Sequence, residues 1–164
     1  MPLKDCRPTS GRVLLALFSI LGGKVEGAEF LDLFAGTGRV GIEAMKRGAR
    51  SVFVESVKSR ADDIRRNAGE SLVLSLEVRR AVSWLMKRDM KFDIIFADPP
   101  YNSGWCDTVP AISNLQAIFA DGAVMVIEHS VREPLTLTVN PNNLEVMSSR
   151  EYGETCLTFL QRMT

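Results

Sequence analysis

Apolar positions along the chain follow two periods, one helical and one extended. Leu14, Leu17, Phe18 and Leu21 recur on one helical face, with Thr9 or Ser10 placed to cap the turn before them. This predicts a helix over 10–21, ended by Gly22-Gly23. A strand–helix alternation then begins. Short apolar runs predict strands over 29–34, 51–55, 72–78, 92–97 and 123–129, and helices over 40–47, 58–68, 82–87 and 107–119 fall between them. The tail, 144–148 and 155–161 around Tyr152-Gly153, predicts a closing hairpin.

Strands separated by helices imply βαβ units: an α/β fold with a mostly parallel sheet and helices on both faces. In such sheets ligands bind beyond the carboxyl ends of the strands, and the two unusual motifs, at Gly36 and Asp98, both fall there. A length of 164 residues suits one domain with one core. No apolar run approaches the roughly 20 residues needed to span a bilayer. The start, Met1-Pro2-Leu3-Lys4-Asp5, lacks the basic-then-apolar order of a signal peptide, so the expected compartment is the cytoplasm. Three scattered cysteines and a lone His129 predict free thiols and no metal site. Net charge is zero but unevenly spread. Residues 1–91 hold 17 Lys and Arg against 11 Asp and Glu, and residues 92–164 hold 3 against 9. A basic first half suits phosphate contacts, and it equally suits solvated helix faces.

The first motif runs Asp32-Leu33-Phe34-Ala35-Gly36-Thr37-Gly38-Arg39-Val40-Gly41. Glycines allow a sharp turn and a close backbone approach to a ligand, and the helix behind adds free N–H groups. Gly36, Gly38 and Gly41 satisfy the dinucleotide spacing, which alone fits a nicotinamide cofactor, another nucleoside cofactor or a tight structural turn. Glu55, 19 residues after Gly36, ends the next strand, where a carboxylate can accept from two ribose hydroxyls. Asp32 precedes the glycines inside a strand, where a carboxylate is costly unless paired. Either the loop's own N–H groups or a charged amino-acid moiety would pair it, and the second option favours S-adenosylmethionine.

The sharpest signal is Asp98-Pro99-Pro100-Tyr101, which closes the apolar run 92–97. Two prolines stiffen the turn and remove two donors while keeping two carbonyl acceptors. A carboxylate and a carbonyl held side by side suit an –NH2 group, whose two hydrogens they can accept. An exocyclic amine on a base is a poor nucleophile, and such hydrogen bonds would aim its lone pair at a donor methyl. Tyr101 can stack on the base once it has left its duplex or loop. The alternative is a strand-ending turn with Asp98 as a cap. Asp93, on the same strand, reads as structural.

Together these residues resemble the bacterial 16S rRNA (guanine-N2)-methyltransferase family of the guanine 966 type. Arg7-Pro8-Thr9 with Arg12-Val13 is similar to its N-terminal segment, and Asp32 to Ala44 to its glycine stretch. Glu55 falls at its ribose-binding acid, Asp98 to Tyr101 at its catalytic turn, and Arg150 with Tyr152-Gly153 and Thr155 at its C-terminal strand pair. The resemblance implies a Rossmann-like class I methyltransferase fold with a mostly parallel seven-stranded sheet and a C-terminal antiparallel hairpin. One domain would span 1–164, with a helical segment over 1–24 before the core at 25–164. It implies S-adenosyl-L-methionine as cofactor, held by Asp32, Phe34, Ala35, Gly36, Thr37, Gly38, Gly41, Glu55 and Ala81. Asp98, Pro99, Pro100 and Tyr101 would carry the chemistry, and Arg7, Arg12 and Arg39 would contact RNA. The expected partner is 16S rRNA or the small ribosomal subunit, met by a monomer with no metal and no membrane.

Two departures stand out. The family carries a basic hairpin before Arg-Pro-Thr, whereas six residues precede Arg7 here. Arg80-Ala81 stands where the family often has Asp or Asn before the alanine near the adenine. An adenine-N6 or other amino methyltransferase would use the same turn. A nicotinamide oxidoreductase explains the glycines and Glu55 but leaves Asp32 and Asp98 without roles. A non-catalytic RNA-binding assembly protein leaves Asp98 unexplained.

Overall fold

The computed structural model describes residues 9–164. Its helices are α1 (Gly11–Leu21), α2 (Arg39–Lys46), α3 (Lys58–Asn67), α4 (Val78–Lys87) and α5 (Trp105–Thr108). Its strands are β1 (Glu29–Asp32), β2 (Arg50–Val54), β3 (Val73–Leu74), β4 (Phe92–Ala97), β5 (Phe119–Ser130), β6 (Leu144–Tyr152) and β7 (Thr155–Arg162). They form one seven-stranded sheet in the order β3-β2-β1-β4-β5-β7-β6. The first five strands run parallel, and β7 pairs antiparallel with both β5 and β6. This is the expected Rossmann-like arrangement with its closing hairpin. The strand order reverses between β1 and β4, so the carboxyl ends of those strands flank the crevice where ligands enter.

Period-two alternation assigns each side chain to a face. Phe30, Ile94, Phe96, Val124 and Val126 pack under α1 and α2, against Leu17, Phe18, Val40 and Ala44. Leu31, Ile95, Ala97, Met125 and Ile127 pack on the opposite side, against Val78, Ala81, Val82 and Leu85 of α4. Helix α1 starts where expected: Ser10 Oγ accepts from the Val13 amide at 3.2 Å, and Gly22 ends the helix with φ 54°.

Two predicted elements differ. The run 72–78 contributes only Val73–Leu74 to the sheet, because Glu77 caps α4 by accepting from the Arg79 amide at 3.1 Å. Val78, Ala81, Val82 and Leu85 then form one helical stripe, so α4 begins four residues before 82. The helix expected over 107–119 is mostly absent. Pro110 removes a donor, Asn114 sits at φ 66°, and only α5 and a 3-10 turn over Leu115–Ile118 form. Phe119 instead opens β5, opposite Phe92.

Cys106 and Cys156 are buried free thiols, as expected, while Cys6 lies outside the described residues. No helix among the described residues is long and apolar enough to cross a membrane. No group of His, Cys, Asp and Glu among them could hold a metal ion.

Candidate active site

A cleft of about 680 Å³ opens at the carboxyl ends of β1, β2, β4 and β5. The alternation that buries Phe30, Phe96 and Val126 under α1 brings Asp32, Asp98 and Glu128 to the same side, one step further along three adjacent strands. In register, Asp32 lies beside Phe96, and Ala97 beside Ile127, so Asp98 and Glu128 follow as neighbours. Thr9, just before α1, lies over them. Its hydroxyl donates to Glu128 Oε2 at 2.9 Å and is 3.5 Å from Asp98 Oδ2.

Three carboxylates in one crevice hold their protons tightly. Burial pushes Asp32 up to about 7, with Glu55 and Glu128 adding to the rise and the Gly41 amide opposing it. Burial likewise pushes Glu128 up to about 7, against the Thr9 hydrogen bond. Asp98 is raised well above the usual carboxylate range by burial, then by the charges of Glu128 and Asp32. Asp32 is buried, accepts from the Gly41 amide at 3.1 Å through Oδ2, and leaves Oδ1 buried without a partner among the described residues. An unpaired buried oxygen amid uncompensated negative charge calls for a cationic ligand. The amino and sulfonium groups of S-adenosylmethionine fit that requirement.

The glycine turn divides into ligand-facing and structural parts. Phe34, Ala35, Gly36 and Thr37 line the cleft. Gly38 and Gly41 do not. Gly38 sits at φ 81°, where a Cβ would come 3.1 Å from Ile64. At Gly41 a Cβ would fall 2.3 Å from the Phe53 ring, so this glycine is the point of closest approach between α2 and β2. Glu55 lines the cleft and also holds the loop: Oε1 accepts from the Gly36 amide at 2.9 Å and Oε2 from the Val57 amide at 2.7 Å. A carboxylate has about four acceptor sites, so ribose hydroxyls can still be received.

Asp98, Pro99, Pro100 and Tyr101 all line the opposite wall. The turn is braced from the segment just after β5. Glu133 accepts from the Asn102 amide, and its own carbonyl oxygen lies 2.9 Å from His129 Nδ1. The Tyr101 hydroxyl lies 3.4 Å from Thr155 Oγ1 at the start of β7, which leaves its ring at the mouth of the cleft.

Residues 1–161 match the family described as conserved hypothetical protein 95. The chain belongs to this family. Among curated relatives, it is 28% identical to ribosomal RNA small subunit methyltransferase D of Escherichia coli K12 over 171 aligned positions, covering 99% of this chain and 84% of that one. It is 29% identical to the putative rRNA methyltransferase YlbH of Bacillus subtilis, covering 91% of this chain and 84% of that one. Its fold superposes on the structure of the putative methyltransferase yhhF from Escherichia coli with a TM-score of 0.79, at 25% identity, over 96% of this chain and 90% of that one.

Some expected site residues of this family member lie elsewhere. Ala81 is fully buried on the core face of α4 and does not reach the cleft. Glu77 and Val78, at the start of α4, line the cleft in its place, beside Phe34 and Trp105, whose rings meet edge-on at 5.6 Å. Arg80 is exposed on α4 outside the cleft lining, so its charge does not occupy the pocket. Arg12 lies outside the cleft, its guanidinium 5.8 Å from the Tyr152 ring centre. Arg39 is in the cleft wall, but Nη1 donates to the Thr9 carbonyl and holds Thr9 in place. Arg7 lies outside the described residues. Asp93 is structural, accepting from the Glu29 amide at 2.8 Å.

Sequence reasoning passed over Glu128, Arg60, Trp105 and Arg132, all in the cleft lining. Glu128 alone carried a signal: a charge inside the apolar run 123–129, costly there unless it serves a site.

Proposed function

We propose that this chain is an S-adenosylmethionine-dependent methyltransferase acting on the N2 amino group of a guanine in 16S rRNA. The single observation that carries the reading is the convergence of Asp98, stiffened by two prolines, with the orphaned Asp32 oxygen in one cleft. The relatives' names point to the same reaction class and to ribosomal RNA as substrate.

Bound S-adenosylmethionine supplies an electrophilic sulfonium methyl. Asp32 would face its positive amino-acid end, Glu55 would accept from its ribose hydroxyls, and Phe34, Val78 and Trp105 would offer apolar surface to the adenine. Asp98 and the Pro99 carbonyl accept the two hydrogens of the guanine amine and aim its lone pair across the cleft. Asp98 would return to its charged, accepting form beside a bound cation, which would offset the neighbouring carboxylates. Once the amine nitrogen had gained the methyl, with the thioether S-adenosylhomocysteine as the leaving group, Asp98 or water would take its surplus proton. Tyr101 stacks on the extruded base at the rim. We further infer a monomeric single domain working in the cytoplasm, on free 16S rRNA or the small subunit, with Arg60 and Arg132 of the cleft lining nearest the RNA backbone.

The test is calorimetric titration with S-adenosylmethionine and, separately, NADH, followed by transfer of labelled methyl to 16S rRNA and small subunits. Binding of the first cofactor alone, with label recovered as N2-methylguanine, is expected. Binding of NADH alone, or label recovered on adenine, would overturn the proposal.

A further inference from the structure

The mechanism above leaves Glu128 without a task, although it is the most unusual side chain in the cleft. It lies two residues before the end of β5, is 4% exposed, and lines the cleft next to Asp98. The Thr9 hydroxyl donates to Oε2. The nearest charged groups facing it on the neighbouring strands are Asp98 and Asp32, both carboxylates. Burying a third carboxylate beside two others destabilises the fold, and a ligand that brings a donor to this face of the cleft would offset that cost.

Guanine brings that donor. Its Watson–Crick edge carries the N2 amine and, directly beside it, the N1–H, so three hydrogens lie in one plane. Asp98 and the Pro99 carbonyl can accept the two amine hydrogens, which leaves N1–H pointing at the adjacent strand. A buried N–H without an acceptor is costly, and an anionic acceptor is the strongest complement to it. Strand β5, in parallel register with β4, presents Glu128 beside Asp98.

We infer that Glu128 is the specificity-determining residue of the site, accepting the N1–H of guanine while Asp98 and Pro99 hold the N2 amine. This rests on the guanine-N2 reading above. Adenine and 2-aminopurine present a lone pair at N1, which faces the Glu128 carboxylate unfavourably. Thr9 fixes the carboxylate plane by binding the oxygen that does not meet the base, and Arg39, by holding the Thr9 carbonyl, keeps Thr9 in place.

The test uses 2-aminopurine, which keeps the N2 amine and lacks N1–H. The guanine methylated by the wild-type protein is mapped, then replaced by 2-aminopurine in 16S rRNA assembled by splinted ligation. The readout is the ratio of kcat/KM for guanine over 2-aminopurine within each protein, in which folded fraction and cofactor occupancy cancel. Wild type should favour guanine by on the order of 10²-fold, the worth of one hydrogen bond to a charged acceptor. In Glu128→Ala the ratio should fall to within about threefold, because neither base then meets a charged acceptor. Glu128→Gln, which keeps the shape and can offer either an oxygen or an NH2 group, should retain more guanine activity than Glu128→Ala and also lose most of the preference. A wild type that methylates both bases equally, or variants that keep the wild-type ratio, would overturn the inference while leaving guanine-N2 methylation standing. A wild type that places no methyl on guanine would instead remove the reading beneath it.

Discussion

The Gly41 amide donates to Asp32 Oδ2 at 3.1 Å, and the other oxygen of that carboxylate is buried with no partner among the described residues. One half of Asp32 therefore fastens α2 to the end of β1, and the other half waits for a ligand. Asp32→Asn keeps the Gly41 hydrogen bond and removes the buried charge. The empty protein should melt about 2–5 °C higher, and S-adenosylmethionine should bind at least tenfold more weakly. Thermal unfolding paired with calorimetric titration checks both directions at once. A variant with lower stability and unchanged affinity would contradict this division of roles.

The same carboxylates set a pH dependence. Asp32 and Glu128 titrate near 7 in the folded protein, against 3.8 and 4.5 in the unfolded chain, and Asp98 is raised too. Between those values the folded state holds protons that the unfolded chain has released, so these groups lower stability as pH rises from about 4 to about 7. The melting temperature of the empty protein should fall over pH 5 to 8. Saturating S-adenosylmethionine should stabilise it more at pH 8 than at pH 5, because the cation binds the deprotonated cleft. Thermal melts at four pH values, with and without cofactor, test the sign, and Asp32→Asn should flatten the slope.

Asp98→Ala removes the acceptor that orients the amine. Methyl transfer should drop by about 10²–10³-fold in kcat, the usual effect of deleting one preorganised electrostatic contact. Cofactor binding should persist, since Asp32 and Glu55 remain, with any change in affinity far smaller than the loss in kcat. Single-turnover transfer of labelled methyl, with titration as the control, separates the two. Near wild-type turnover would remove Asp98 from the chemistry.

Glu133 is a positioning residue for the Asp98–Tyr101 turn, through its bond from the Asn102 amide. Glu133→Ala should lower kcat about three- to tenfold with cofactor affinity unchanged, because a slackened turn misaligns the acceptors. Glu133→Gln keeps an acceptor oxygen and should restore most of the rate. Equal losses in both variants would argue against the brace.

Gly41→Ala tests the packing role of the third glycine. Its Cβ would sit 2.3 Å from a ring carbon of the fully buried Phe53. A loss of about 1–3 kcal/mol in urea unfolding is expected, as for other overpacked core sites. Gly23→Ala, with nothing within 4 Å of the added carbon, should stay within about 0.5 kcal/mol of wild type.

The sequence by itself determined the succession of strands and helices, the glycine turn and the proline-stiffened Asp98. Each depends on neighbours within a few residues: Ser10 caps α1 from one turn away, and Pro99 and Pro100 restrict the backbone beside them. It also carried the reason to suspect Asp32, a charge where a strand should be apolar. Where local signals competed, it misled. The apolar run 72–78 reads equally as strand or helix, and only the Glu77 cap and the α4 stripe decide for helix at Val78. Tertiary structure alone decided who meets whom. Glu128 follows Asp98 by thirty positions in sequence, and Thr9 precedes it by 119. They converge because parallel register sets β5 beside β4 and period-two alternation turns both acids to the α1 side. The same geometry withdrew Ala81 into the core and committed Arg39 to Thr9. A residue's type fixes what chemistry it can perform, but strand order and register fix which partner stands next to it.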